Sequence, residues 1–231
     1  MIQERFTIGL DADDTLWHNE RYFVDVTAQF VGMCRHYIDE PDLESHLATI
    51  ERHNLALFGY GAKGFTLSLI ETAIDATDGR VSARDLQRCI DWGRWILAHP
   101  VELLDGVQDV LEALADKHHL IMITKGDLLH QEAKVAGSGL AALFGAVEIV
   151  NEKDPATYGR VLAEHNVICE QFVMVGNSVK SDVLPVLEIG ARAVHIPYET
   201  TWAHELVSSH SKAFPTLGSI RELPDLLLSL S

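Results

Sequence analysis

Three aspartates stand directly behind a short apolar run near the start of the sequence. Phe6 to Leu10 reads FTIGL, and Asp11-Ala12-Asp13-Asp14-Thr15 follows at once. Carboxylates gathered at one point repel each other unless a cation or a shared proton belongs to the arrangement. A carboxylate at a strand tip can be a nucleophile. A second one, two residues on, can give a proton and then take one. Other polar residues recur in the same setting, just after apolar runs: Thr124-Lys125-Gly126, Lys153 in NEKDPATY, and Asn177 and Asp182 in VGNSVKSDV. A hydroxyl and a lysine can hold and neutralise a tetrahedral anion such as phosphate. Further oxygen donors can complete a site for magnesium, a hard cation.

The elements that must position these residues are readable as hydrophobic patterns. Five apolar runs, at 6–10, 120–124, 146–150, 172–176 and 192–196, have the length and continuity of buried parallel strands. Amphipathic stretches at 107–117, 128–139, 155–166 and 181–190 lie before or between the last four runs. Pro155 opens one helix, and Pro185 falls in a first turn if its helix starts near Ser181. The alternation predicts an α/β fold: a three-layer, Rossmann-like core with an open parallel sheet covered on both faces. Ligands in such sheets bind beyond the carboxyl ends of the strands. From Trp17 to about Val101 there is no comparable strand run, only apolar residues at helical spacing. This segment predicts an all-helical insert after the first strand, so the expected domains are 1–16 with 102–231, and 17–101. Ser82 is an expected N-cap, with Asp85 as its capping-box partner. The tail, LGSIRELPDLLLSLS, predicts a last helix broken by Pro224.

In this order and strand context the motifs resemble the haloacid dehalogenase superfamily of phosphohydrolases, in particular members with a helical cap inserted after the first motif. That family's Asp-x-Asp-x-Thr is matched by Asp11-Ala12-Asp13-Asp14-Thr15, its Ser or Thr ending strand two by Thr124, its Lys by Lys153, and its acidic pair by Asn177 and Asp182. The resemblance implies that Asp11 attacks phosphorus and that Asp13 protonates the leaving alcohol, then activates water. It implies phosphate binding by Ala12, Thr124, Lys125 and Lys153. It also implies Mg2+ held by the Asp11 carboxylate, the Asp13 backbone carbonyl and residue 177, with Asp182 assisting. Asp14 would stand in a tight turn where the family often has Gly, and Thr15 would brace that turn. One departure is Asn177, where the family usually has Asp: its amide oxygen can ligate but brings no charge.

Each residue also has a plain structural reading. Thr124 can be an N-cap, and Asn177-Ser178 can cap the helix that follows. Lys125 can contact phosphate or face solvent or the cap. Trp17, Trp92 and Trp95 read as cap core. His18 and Asn19, at the core-to-cap junction, and Lys63, in the glycine-rich FGYGAKGF, are candidate cap contacts to a substrate.

Bulk properties narrow the function further. A net charge of -16 disfavours nucleic acid, and no basic cluster is present. No run approaches a membrane span, and MIQERFTIGL lacks a signal-peptide apolar region. Cys34, Cys89 and Cys169 are widely spaced, which fits reduced thiols in a cytoplasmic protein. The histidines, including the pair His118-His119, read as packing or surface residues. The expectation is a magnesium-dependent phosphatase for a small phosphorylated metabolite. The alternatives are a 2-haloacid dehalogenase, a phosphomutase, or a non-catalytic binding protein with a weakened metal site. A halide leaving group needs no proton, so Asp13 argues against dehalogenation. Neither the substrate nor an oligomeric state is specified by these patterns.

Overall fold

The computed structural model describes residues 5–38, 42–200, 202, 205 and 212–230 of the 231-residue chain. The chain divides into two compact units. One comprises residues 1–18, 101–125 and 131–231; the other comprises residues 19–100 and 126–130.

The first unit is built on a five-stranded parallel sheet of β1 (Thr7–Leu10), β2 (His119–Lys125), β3 (Ala146–Val150), β4 (Phe172–Gly176) and β5 (Arg192–His195), in the order β3-β2-β1-β4-β5. Placing β1 in the centre makes the chain cross from one side of it to the other, which creates a switch point at its carboxyl end. The register pairs Leu10 with Met122 on one side and with Val175 on the other. The residues just beyond Leu10, Met122 and Val175 therefore come out side by side.

Both faces of the three central strands are buried, which is why β1, β2 and β4 read as unbroken apolar runs, whereas the edge strand β3 is partly exposed and carries Glu148. Ile8, Leu10, Leu120, Met122, Val173 and Val175 pack on one face with α5 (Val107–Ala115) and α9 (Leu223–Leu230). Ile121, Ile123, Phe172 and Met174 pack on the other with α7 (Pro155–Glu164) and α8 (Leu184–Glu188). Each fully buried side chain of this size contributes about 1.5–3 kcal/mol. Buried His118 is a packing residue: it stacks on Phe6 and accepts the Phe6 N–H at Nδ1, 3.2 Å away. Trp17 lies in this sheet core and not among the helices of the insert, where the sequence had placed it.

One proline acts differently from its sequence reading, and another keeps its place while its helix starts later. Pro224 is in the first turn of α9, which it opens and does not break, because a first-turn residue has no helical partner for its N–H. Pro185 is likewise in the first turn of α8, but α8 begins at Leu184 and a five-residue π-turn, Val179–Val183, precedes it. The regular helix expected from Ser181 is replaced there by a wider turn, a geometry often found at functional sites.

The second unit contains α1 (Glu20–Cys34), α2 (Leu43–Phe58), α3 (Ala62–Ala76) and α4 (Ala83–Ala98). Its own core is made by Val26, Phe30 and Met33 from α1, Leu47 from α2, Leu69 and Ala73 from α3, and Ile96 from α4. Gly93 lets α4 approach α3 closely: a Cβ there would lie 1.9 Å from Thr66 Oγ1. Ser82 caps α4 by accepting from the Asp85 N–H at 3.1 Å, and the Asp85 carboxylate returns to the Ser82 hydroxyl at 2.8 Å. Lys63 pairs with Asp127 at 2.9 Å within this unit. No described helix is long and apolar enough to cross a membrane.

Candidate active site

At the carboxyl ends of the central strands the chain collects its buried charges. Asp11 continues β1 by one residue, and its N–H donates to the Val175 carbonyl at 2.9 Å. Lys153, three residues beyond β3, is buried between two carboxylates: its Nζ lies 2.5 Å from Asp11 Oδ1 and 2.6 Å from Asp182 Oδ1. The other Asp182 oxygen accepts the Ser178 N–H at 2.9 Å. Gly176 makes room for this carboxylate, since a Cβ there would meet Asp182 Oδ2 at 2.2 Å.

Two carboxylates against one ammonium leave a negative excess. Burial and the neighbouring Asp182 push the Asp11 carboxyl up to about 7, against the pull of Lys153. Burial alone would discharge Lys153, but Asp11 and Asp182 outweigh it and hold the ammonium well above the ordinary lysine range.

Asp13 has a separate set of partners. Lys134, from α6 (Leu128–Ser138), reaches both its oxygens at 2.6 and 2.7 Å. Trp17 Nε1 donates to it at 2.6 Å, and Gln131 Nε2 donates to it at 3.1 Å. Burial raises this carboxyl, but the Lys134 charge and these donors hold it below its usual range. Gln131 Nε2 also lies 2.8 Å from Thr124 Oγ1, so one amide ties the end of β2 to Asp13. The turn between Asp13 and Trp17 is tight: Asp14 adopts the left-handed conformation (φ 63°) that favours Gly, and its N–H donates to the Trp17 carbonyl at 2.7 Å. Thr15 Oγ1 lies 3.3 Å from Asp11 Oδ2 and 3.3 Å from the Asn177 amide.

Asn177, just past β4, places its amide within 3.1 Å of Asp11 Oδ2 and 3.3 Å of the Asp13 carbonyl. With the amide oxygen inward, a carboxylate, a main-chain carbonyl and an amide carbonyl converge. These are hard oxygen donors suited to magnesium. Among the described residues no group of three or more His, Cys, Asp or Glu side chains stands together as a cation cage. Such a cation would therefore depend on the Asp13 main-chain oxygen and the neutral Asn177 amide. Both side-chain oxygens of Asp182 are taken by Lys153 and the Ser178 amide.

The structure thus brings together Asp11, Asp13, Thr124, Lys153, Asn177 and Asp182. Lys125 lies beside them, but its Nζ is engaged by Ser181 Oγ at 2.9 Å and Glu205 Oε1 at 2.5 Å. His18 takes a different partner, with Nδ1 2.6 Å from the Tyr198 hydroxyl. Ser178 caps the π-turn by accepting the Ser181 N–H at 3.0 Å. Sequence reasoning missed Gln131, Lys134 and Glu205. The only local signal was that Gln131 and Lys134 are three apart, and so on one face of a helix. Glu205 also bonds the hydroxyls of Ser178 and Ser181. Burial opposes its charge, but Lys125 and these hydroxyls bring its carboxyl down to about 2.

The family model described as "Hydrolase: haloacid dehalogenase-like hydrolase" matches residues 7–190. The chain belongs to the haloacid dehalogenase-like hydrolases. Among solved structures it is similar to a haloacid dehalogenase-like family hydrolase from Xanthomonas campestris, with 43% identity, TM-score 0.89, and coverage of 99% of this chain and 92% of that one. It shares its fold with the HAD-hydrolase YfnB from Bacillus subtilis, solved bound to magnesium (15% identity, TM-score 0.69, 97% and 99% covered). It also shares it with a 2-haloacid dehalogenase from Pseudomonas syringae pv. Tomato DC3000 (23% identity, TM-score 0.63, 98% and 100% covered). No curated protein matches the chain.

Proposed function

We propose that this hydrolase is a magnesium-dependent phosphatase acting on a small phosphate monoester. The observation that carries the reading is Asp13: a second carboxylate two residues after Asp11, with its own cation, Lys134, and two N–H donors. Its place two residues from Asp11 suits it to proton transfer. Phosphate ester cleavage needs one proton delivered to the leaving oxygen, for which Asp13 must first take one up against these partners, and one removed from water, for which they hold it ready.

In this reading a carboxylate oxygen of Asp11 attacks phosphorus, the bond to the ester oxygen breaks, and Asp13 gives that oxygen a proton. Asp13, now ionised, takes a proton from the water that cleaves the aspartyl phosphate, and Asp11 is regenerated. Lys134, Trp17 and Gln131 favour the ionised form of Asp13, which suits this second half. Thr124 and Lys153 hold phosphate oxygens, with the Ala12 backbone alongside. Magnesium, held by Asp11, the Asp13 carbonyl and Asn177, would supply the positive charge that keeps Asp11 ionised beside an incoming anion. The magnesium-bound relative from Bacillus subtilis supports this choice of cation. With Lys125 paired to Glu205, we assign phosphate binding chiefly to Lys153. We place the protein in the cytoplasm, with a small phosphorylated metabolite as its partner and no nucleic acid or membrane. His18, Asn19 and Lys63 remain the proposed cap-side contacts.

A second reading, 2-haloacid dehalogenation, is favoured by one observation: the Asn177 amide can satisfy Asp11 and the Asp13 carbonyl without a cation. One experiment separates the two. Phosphate release from a panel of small phosphate esters and chloride release from 2-chloropropionate are measured with magnesium and with EDTA, for wild type and Asp11→Asn. The expected result is phosphate release that requires magnesium and is lost in the variant. Chloride release in EDTA would reverse the assignment.

A further inference from the structure

The inner end of the Asn177 side chain meets more oxygens than an amide oxygen can use. Its inner atom lies 3.3 Å from Thr15 Oγ1, 3.1 Å from Asp11 Oδ2 and 3.3 Å from the Asp13 main-chain oxygen. The last two only accept hydrogen bonds when Asp11 is ionised. An amide oxygen at this point would face acceptors, whereas an amide nitrogen donates to both. The count is also matched: an NH2 group carries two hydrogens, and two oxygens wait for them.

We propose that Asn177 is a two-position amide that stands in for the divalent cation when none is bound. With NH2 inward it bridges the Asp11 carboxylate to the Asp13 carbonyl. When a divalent cation enters, the amide turns over about its last side-chain bond and presents its oxygen beside those same two oxygens. The Thr15 hydroxyl serves both positions, because its proton can point to Asp11 or to the inward amide oxygen. The cation half of this inference rests on the magnesium reading above.

The chemistry at position 177 decides the consequence. An aspartate there would set three oxygens against one another with only the Thr15 hydroxyl proton between them, so the site would need a cation or a further proton to be stable. The amide removes that need. The metal-free protein keeps an ordered site, and a cation must displace two hydrogen bonds before it binds. Asn177 therefore lowers cation affinity twice: it lacks a charge, and it competes for the position.

Thermal unfolding tests this without reference to turnover. Wild type, Asn177→Asp and Asn177→Ala are melted at pH 8 in EDTA and then across a magnesium titration. In EDTA both variants are expected to melt below wild type, Asn177→Asp the lower of the two. Magnesium is expected to recover Asn177→Asp, with half its effect at a concentration at least tenfold below that needed by wild type. Asn177→Ala is expected to show no such recovery, and it carries the test if Asn177→Asp does not fold. Variants that melt with wild type in EDTA would overturn the bridge. Equal magnesium midpoints for wild type and Asn177→Asp would overturn the competition. If magnesium shifts neither protein while both variants remain destabilised in EDTA, the cation half fails together with the magnesium reading, and that result is distinct from failure of the bridge.

Discussion

Two regions of the molecule satisfy buried polar groups in opposite ways. In the helical unit the buried hydroxyls have a local solution, while buried Asn54 reaches across helices, to Ser68 and Glu71 at 3.2 and 2.7 Å. Ser68, Thr72 and Thr77 are buried, and each hydroxyl donates to the carbonyl four residues before it, at 3.0, 2.7 and 2.7 Å. At the strand tips the ion pairs are remote, although Trp17 and Ser178 add local bonds to Asp13 and Asp182. Lys153 reaches Asp11 across 142 positions, and Lys134 reaches Asp13 across 121. A local bond forms wherever the helix forms. A remote one exists only when the sheet has assembled in one register, and an error there strands a buried charge. The tip cluster is thus specified by the whole fold and, in turn, penalises wrong assembly. In the helical unit Thr72, whose hydroxyl makes only a local bond, can vary at little cost, whereas Ser68 and Thr77 also accept from Asn54 Nδ2 and the Val81 N–H.

The largest break in this comparison is Lys153→Met. It leaves Asp11 and Asp182 buried together without their shared cation, so a loss of about 3–5 kcal/mol is expected, together with loss of turnover. Urea unfolding at pH 8 and phosphate release check the two effects. Leu69→Ala, in the helical core, is expected to cost about 2–5 kcal/mol through the cavity it leaves, read by the same urea titration.

A smaller effect sharpens the contrast in charge. Burial pushes the carboxyl of Glu51, on α2, up to about 7. A carboxyl raised on folding is harmless below its unfolded value near 4.5 and costs stability as pH rises towards 7. Glu51→Gln should therefore match wild type at pH 4.5 and exceed it by about 1–2 kcal/mol at pH 8, after allowance for partial exposure. The smallest effect is expected of Thr72→Val. It removes one local bond, but the Ser68 carbonyl keeps its helical N–H partner, so stability should stay within about 0.5 kcal/mol of wild type. A loss as large as that of Lys153→Met would erase the distinction between local and remote bonds.

The same distinction explains what the sequence disclosed. The three central strands were legible because strands buried on both faces need continuous apolar runs, and the edge strands β3 and β5 because enough apolar residues remain beside Glu148, Arg192 and His195. The residues just past those runs then had to share one edge, so Asp11, Thr124, Lys153 and Asn177 could be grouped without coordinates. Ser82 and Asp85 were legible because a helix cap is a local motif. Lys134, Gln131 and Glu205 were not. Their partners are fixed by how α6 lies across the end of β2 and by where the chain returns after β5, and no spacing rule encodes either. Trp17 was assigned to the insert from its position, although its indole closes the turn onto Asp13. Pro224 was misread because a proline that breaks a helix and one that opens it differ only by where the helix begins, and for Pro185, read as a first-turn residue, only the start of the helix was misplaced.

The proposed division of labour between Asp11 and Asp13 is tested most directly by one measurement. Asp13→Asn is mixed with p-nitrophenyl phosphate and magnesium, quenched in acid, and its intact mass is recorded beside that of wild type and Asp11→Asn. This ester's leaving group needs little protonation, so Asp11 can still be phosphorylated, but the water that should release the phosphate lacks its base. The expected result is one added phosphoryl group on Asp13→Asn and none on Asp11→Asn. Steady turnover by Asp13→Asn at the wild-type rate, or wild-type turnover with no adduct on Asp13→Asn, would contradict the assignment.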